Sequence, residues 1–258
     1  MVTSGRTGGA ASSLLCPLFD DQRMDLVEVA RTAVSVHYET ASSCLPVLSV
    51  CLPAAVMLPN ALVTERLPWS GPTTIGDGFL TAPGGAWHVA RWWLPPRPRG
   101  LRPPPVDVSR LTPEHWPSLC WGVGWPRPSY DGLVPAKLIG AGAGLTPTGD
   151  DVLAGALVAA HATADPRLND WRRSILDLLT MQRTTAVSRA MLHYALDGYA
   201  TPELADYLHA VCDGGPDSST RALDRATVSL LSVGHSSGAA LMTGVLHTLA
   251  TTRMRGAA

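Results

Sequence analysis

The densest concentration of chemistry in this sequence is Lys137-Leu-Ile-Gly140-Ala-Gly142-Ala-Gly144-Leu-Thr146-Pro-Thr148-Gly149-Asp150-Asp151. Alternating glycines strip side chains from a loop, so that backbone N–H groups can approach an anion. The helix that follows adds unpaired donors and a partial positive charge. Such a segment suits phosphate or a carboxylate. Its spacing is not G-x-G-x-x-G and no Gly-Lys-Ser/Thr follows, so neither the dinucleotide fingerprint nor the Walker loop is present. A second reading makes Thr148 the helix cap, accepting from the Asp151 N–H while Asp151 reaches back to the cap amide. Asp150 can hold Mg²⁺ through water, accept a proton, or simply suit the positive first turn of a helix. Lys137 either meets phosphate as a point charge or ends a strand in solvent.

Two further motifs carry polar groups that could join this loop. Gly234-His235-Ser236-Ser237-Gly238 has the form of a nucleophile elbow, but no Asp or Glu follows Ser236 and the only later histidine is His247. The serine-hydrolase order of acid and then histidine therefore fails. Ser236 and Ser237 remain as helix caps or ligand donors beside Gly238, and His235 titrates near neutral pH or is an ordinary loop histidine. In Arg183-Thr184-Thr185-Ala-Val-Ser188-Arg189, either threonine can cap a helix, and Arg183 can bind a carboxylate bidentately or be solvated. The remaining histidines lack H-x-x-x-H spacing, so no zinc site is expected.

The elements that must hold these motifs divide at about residue 140. Asp20 to Val36 has apolar residues at helical spacing after an acidic start, which predicts an opening helix. From about residue 40 to 139, short runs such as Leu48-Ser-Val-Cys-Leu, Ala61-Leu-Val-Thr and Trp87-His-Val-Ala-Arg-Trp-Trp predict strands between turns. The proline-rich stretch Leu94 to Pro105 reads as a surface loop. Beyond residue 145 helices are expected near 149–163, 167–181, 185–197, 202–212, 219–232 and 238–252, with turns at Asp165-Pro166 and Asp213-Gly-Gly-Pro. An internal echo aligns Thr148-Gly149 through Gly155 with Ser237-Gly238 through Gly244. Glycine inside a helix costs about 1 kcal/mol relative to Ala, so Gly155 and Gly244 predict two helices packed backbone to backbone with their N-termini together. The expected fold class is α+β: a β-rich N-terminal half with an opening helix, then an all-helical C-terminal half whose two capped helix N-termini form an anion site. The organisation is 1–139 and 140–258, integrated as one domain.

Composition sets the outer limits. The 258 residues are 46% hydrophobic and 16% charged with mean hydropathy +0.12, which describes a chain with a substantial core. A net charge of −1 leaves no positive excess for nucleic acid or an anionic membrane surface, and Lys137 is the only lysine among 20 basic residues. The five cysteines lack C-x-x-C spacing and suggest reduced core thiols. The N-terminus has no secretory core, and the apolar run Leu45 to Leu58 is short and broken by prolines. A cytoplasmic protein is expected.

Leu138-Ile-Gly-Ala-Gly-Ala-Gly-Leu-Thr-Pro-Thr-Gly-Asp-Asp-Val-Leu-Ala-Gly, then Arg183 to Ser188, then Gly234-His-Ser-Ser-Gly, together resemble the family of AllH-type subunits of oxamate carbamoyltransferase. The resemblance implies the last steps of anaerobic allantoin breakdown, where oxalurate and phosphate are interconverted with oxamate and carbamoyl phosphate. It also implies an enzyme built with two other kinds of subunit. Carbamoyl transfer needs a phosphate cradle, donors for a developing oxyanion and a proton acceptor. Gly142, Gly144 and the amides around Thr148 and Gly149 would form the cradle, with Lys137 beside it. Thr146, Ser236 and Ser237 would donate, Asp150 or His235 would move the proton, and Arg183 would hold a carboxylate. Asp151, Thr184, Thr185, Ser188 and Gly238 complete the candidate set, and Mg²⁺ on Asp150 and Asp151 stays open. A non-catalytic scaffolding subunit, or a stand-alone acyl or carbamoyl transferase of secondary metabolism, are the alternatives.

Overall fold

The computed structural model describes residues 5–103, 133–181, 183–212 and 220–256. The expected turn at Asp213-Gly-Gly-Pro, Cys120 and the end of the proline-rich stretch lie outside them. The chain divides into two compact units, Met1–Pro95 and Pro96–Ala258.

The first unit is a closed eight-stranded barrel, which replaces the loosely α+β, helix-opened half expected from the sequence. Its strands are β1 (Arg6–Ser12), β2 (Met24–Arg31), β3 (Ser35–Glu39), β4 (Val47–Cys51), β5 (Ala61–Thr64), β6 (Thr73–Gly76), β7 (Phe79–Ala82) and β8 (Gly85–Trp93). They close in the order β1-β5-β4-β3-β2-β6-β7-β8, with the β1–β8 and β4–β5 pairs parallel and the others antiparallel. The three runs read as strands from sequence occupy β4, β5 and β8.

The expected helix over Asp20 to Val36 is instead the end of a five-residue helix, α1 (Cys16–Asp20), followed by β2 and a turn into β3. Met24, Leu26, Glu28 and Ala30 are more covered than Asp25, Val27, Val29 and Arg31, which is the period of a strand. The same short apolar run satisfies either period, and pairing on both edges with β3 and β6 decides it. The Thr32 hydroxyl accepts from the Val34 and Ser35 amides and thereby forms the β2–β3 turn.

Closure removes the open edges. At the parallel β1–β8 seam Arg66 donates to the Thr7 hydroxyl at 2.9 Å, the Gly84 carbonyl at 2.7 Å and the Gly5 carbonyl at 3.0 Å, and its guanidinium lies over Trp87. Of the described cysteines only Cys51 is buried and Cys44 is exposed, so the expectation of core thiols holds for one position.

The second unit is helical: α2 (Pro135–Leu138), α3 (Thr148–Ala162), α4 (Leu168–Thr180), α5 (Ala186–Leu196), α6 (Pro202–Cys212), α7 (Thr220–Leu231) and α8 (Ser237–Gly256). The last six match the six helices expected from periodicity to within a few residues. Beyond its first turn helix α3 is apolar all round up to His161, and it is almost wholly buried, because α8 and α5 cover it. Its crossing with α8 is as close as the glycine echo predicts: a Cβ on Gly155 would stand 2.0 Å from the Leu241 carbonyl oxygen, and one on Gly244 2.0 Å from that of Val152. Among the described residues no helix is long and apolar enough to cross a membrane.

Inside the barrel unit His37 is 3% exposed, with its ring nitrogens 2.9 Å from the Ser35 and Ser49 hydroxyls. Burial lowers its pKa from 6.5 to about 4. As pH falls through this window the unfolded chain takes up the proton first, so stability present above pH 6.5 is progressively lost towards pH 4, by up to about 3 kcal/mol. Protection factors of the β3 and β4 amides, taken relative to the intrinsic exchange rate at each pH, should therefore fall between pH 7 and 4.5, and His37→Gln should remove that part of the fall. Equal pH slopes in the two proteins would show that His37 is not the group responsible.

Candidate functional site

The three motifs meet in the helical unit. A Cβ on Gly140, whose φ is +72°, would stand 2.1 Å from the Arg183 carbonyl oxygen, so the glycine loop lies directly on the second motif. The Thr185 hydroxyl donates to the Leu145 carbonyl at 2.7 Å and accepts from the Ser188 amide at 3.1 Å, which makes Thr185 the N-cap of α5 as the sequence allows. The Thr146 and Ser237 hydroxyls lie 3.2 Å apart and join the glycine loop to the third motif, 91 positions along the chain.

Asp150 ties the first two loops together. Its carboxylate, 2% exposed, accepts from the Gly140 amide at 2.9 Å and from the Thr184 hydroxyl on its other oxygen. Burial raises its pKa, while the bonds from Thr184 and Gly140, with the Ser188 hydroxyl nearby, pull it down.

Asp151 differs. It is 1% exposed and neither oxygen has a hydrogen bond of ordinary geometry, although the Ser237 and Thr146 hydroxyls are near enough to favour its charged form. Burial, with the neighbouring Asp150 charge adding to it, pushes its pKa up to about 7 against those two hydroxyls. The buried Ser188 hydroxyl likewise has no partner of ordinary geometry.

These contacts overturn the expected anion site at two capped helix N-termini. The N-cap of α3 is Pro147, which makes no side-chain cap bond, and Thr148 is the first helical residue rather than its cap. The Gly149 amide is spent on the Ala141 carbonyl at 2.8 Å, and the Asp150 and Asp151 amides on the Pro147 carbonyl. On α8 the Gly238 and Ala240 amides go to the Val233 and Ser236 carbonyls. Two carboxylates, not an external anion, occupy the first turn of α3, where the helix dipole favours negative charge.

The other candidates are more open to solvent. Gly142, Gly144, Arg183 and His235 are exposed, while Ser236 is half-buried. Gly142 and Gly144 have φ of +117° and +96°, and a Cβ on Gly142 would stand 2.8 Å from the Thr148 amide nitrogen. Lys137 is exposed in α2 rather than at a strand end. Gly149 and Gly238 serve close packing: a Cβ there would stand 2.1 Å from the Leu138 carbonyl oxygen and 1.9 Å from that of Leu230. Among the described residues no three His, Cys, Asp or Glu side chains gather as a metal cluster. Sequence reasoning missed the tie from Asp150 to Gly140 and Thr184, for which the only signal was a glycine ten positions upstream of a buried acid.

The span that carries all three loops is also the span with a known counterpart. Residues 138–249 match the AllH family, described as an oxamate carbamoyltransferase subunit. The match bears out the resemblance carried by the three motifs and leaves the barrel unit outside. No solved structure matches the chain. Every contact that gathers the motifs, from Gly140 to Ser237, falls inside the AllH span.

Asp150→Ala should leave the Gly140 amide and the Thr184 hydroxyl without their acceptor and cost about 2–4 kcal/mol in urea unfolding. An unchanged midpoint would mean that Asp150 does not hold the loops.

Proposed function

We propose that this chain is a carbamoyltransferase subunit acting on a carbamoylated small carboxylic acid, with oxalurate as substrate, in the phosphate-dependent step of allantoin breakdown. The observation that carries the reading is the convergence, within residues 138–249, of three separated polar motifs, joined by hydrogen bonds beside two buried carboxylates. In the reaction a phosphate oxygen attacks the terminal ureido carbon and the bond from that carbon to the oxamate nitrogen breaks. That nitrogen takes a proton, leaving oxamate and carbamoyl phosphate.

The chemistry needs seats for two anions and donors for the oxygen that gains charge. In this reading Gly142 and Gly144 bring bare backbone to the phosphate, with Lys137 as a point charge. Arg183 holds the oxalyl carboxylate through its planar fork. Thr146, Ser236 and Ser237 supply hydroxyl donors, and His235 completes the set. Asp150 acts by position, fixing Gly140 and Thr184. Partner subunits of the same enzyme would cover these groups and exclude water. The internally spent amides of Gly149, Asp150 and Asp151 favour a second reading, in which the segment organises partners and the chemistry takes place on them.

The test is carbamoyl phosphate formation from oxalurate and phosphate, by the chain alone and after co-expression with the products of neighbouring genes. The expected result is turnover only in the co-expressed assembly, with Arg183→Ala raising the KM for oxalurate at least about ten-fold, the loss expected of one charge-assisted contact. Turnover that is indifferent to Arg183→Ala and Thr146→Ala would transfer the chemistry to the partners. Absence of phosphate-dependent oxalurate consumption in every combination would overturn the substrate.

A further inference from the structure

The site contains a buried group that the packing leaves unexplained. Both Asp151 oxygens are sealed from solvent without a hydrogen bond of ordinary geometry, and Asp151 is 1% exposed. A buried carboxylate is ordinarily paired, hydrogen-bonded or bound to a metal. Asp150, next to it, has both oxygens occupied and so leaves its neighbour unaided. The groups facing Asp151 are the Thr146 and Ser237 hydroxyls, which lie 3.2 Å from each other. The Ser188 hydroxyl, on the Asp150 side, is a second buried oxygen without a hydrogen bond of ordinary geometry.

We infer that Asp151, with the Thr146 and Ser237 hydroxyls, binds a hard divalent cation of the Mg²⁺ class. All the donors are oxygen, one of them a carboxyl group that a cation would hold in its charged form, and none is a thiolate or imidazole. That set disfavours zinc and copper. Two adjacent carboxylates supply more negative charge than a monovalent ion neutralises. The small number of protein ligands suits Mg²⁺, which commonly takes one or two carboxylates and completes its shell with water and phosphate oxygens. The ligands come from both sides of the α3–α8 crossing, so the ion joins the glycine loop to the start of α8. The inference stands on the buried groups alone and does not rest on the carbamoyltransferase reading.

Mn²⁺, observed by its electron paramagnetic resonance signal, is titrated into the metal-stripped full-length chain and then displaced with Mg²⁺. Saturable binding of one Mn²⁺ per chain is expected, competed by Mg²⁺ and weakened at least about ten-fold in Asp151→Asn, with Mg²⁺ raising the wild-type unfolding midpoint. Ser237→Ala keeps the carboxylate and should also weaken binding, which keeps the test decisive if Asp151→Asn folds poorly. No saturable Mn²⁺ binding by the wild type, or equal affinity in folded Asp151→Asn, would overturn the site. Failure of oxalurate phosphorolysis would touch the functional reading and leave this binding result unaffected.

Discussion

The helical unit depends on one close approach. Where α3 crosses α8, Gly155 and Gly244 let each backbone rest against the other, and any side chain at either position would stand about 2 Å from a carbonyl oxygen. No rotamer relieves a backbone clash of that size, so the crossing distance is fixed by composition at two positions. With the crossing fixed, the N-termini of the two helices lie together. The Thr146 and Ser237 hydroxyls then come within 3.2 Å across 91 residues of chain. The second motif is added through α5, which packs on α3 and whose cap residue, Thr185, also holds the Leu145 carbonyl.

The crossing also accounts for the electrostatics. A helix start enclosed by two other segments buries whatever occupies its first turn, and here that is Asp150 and Asp151. Neighbouring carboxylates have been given different surroundings. Asp150 accepts two bonds and serves as a mechanical tie, whereas Asp151 faces hydroxyls without a settled partner, and its pKa is pushed up to about 7. Environment rather than residue type separates a structural acid from one with unspent capacity.

Much of the helical unit was legible because its signals are local. Six amphipathic or apolar periods gave six helices, and the repeated glycine spacing of 149–155 and 238–244 gave the crossing. The barrel was only half legible. Short strands could be found between Pro and Gly, but β2 carries a run that fits both periods, and its identity came from pairing with β3 and β6. Closure through a parallel β1–β8 seam joins residues some eighty positions apart and leaves no mark in composition. The site was legible as a set of residues and illegible as a geometry. Glycines, hydroxyls and acids were in view, but the capping reading of Thr148 failed because Pro147 takes the cap position and its carbonyl receives the Asp150 and Asp151 amides. Those donors, assigned to an external anion, were already spent inside the loop.

The glycine crossing builds the site. A double-mutant cycle of Gly244→Ala and Ser237→Ala, read by urea unfolding, measures that dependence. If the crossing sets the approach of the loops, Gly244→Ala forces the helices apart, and Ser237→Ala then costs nothing further, giving a coupling of about 1 kcal/mol. Costs that simply add would mean that the Thr146–Ser237 contact forms without the close crossing, and would contradict the account.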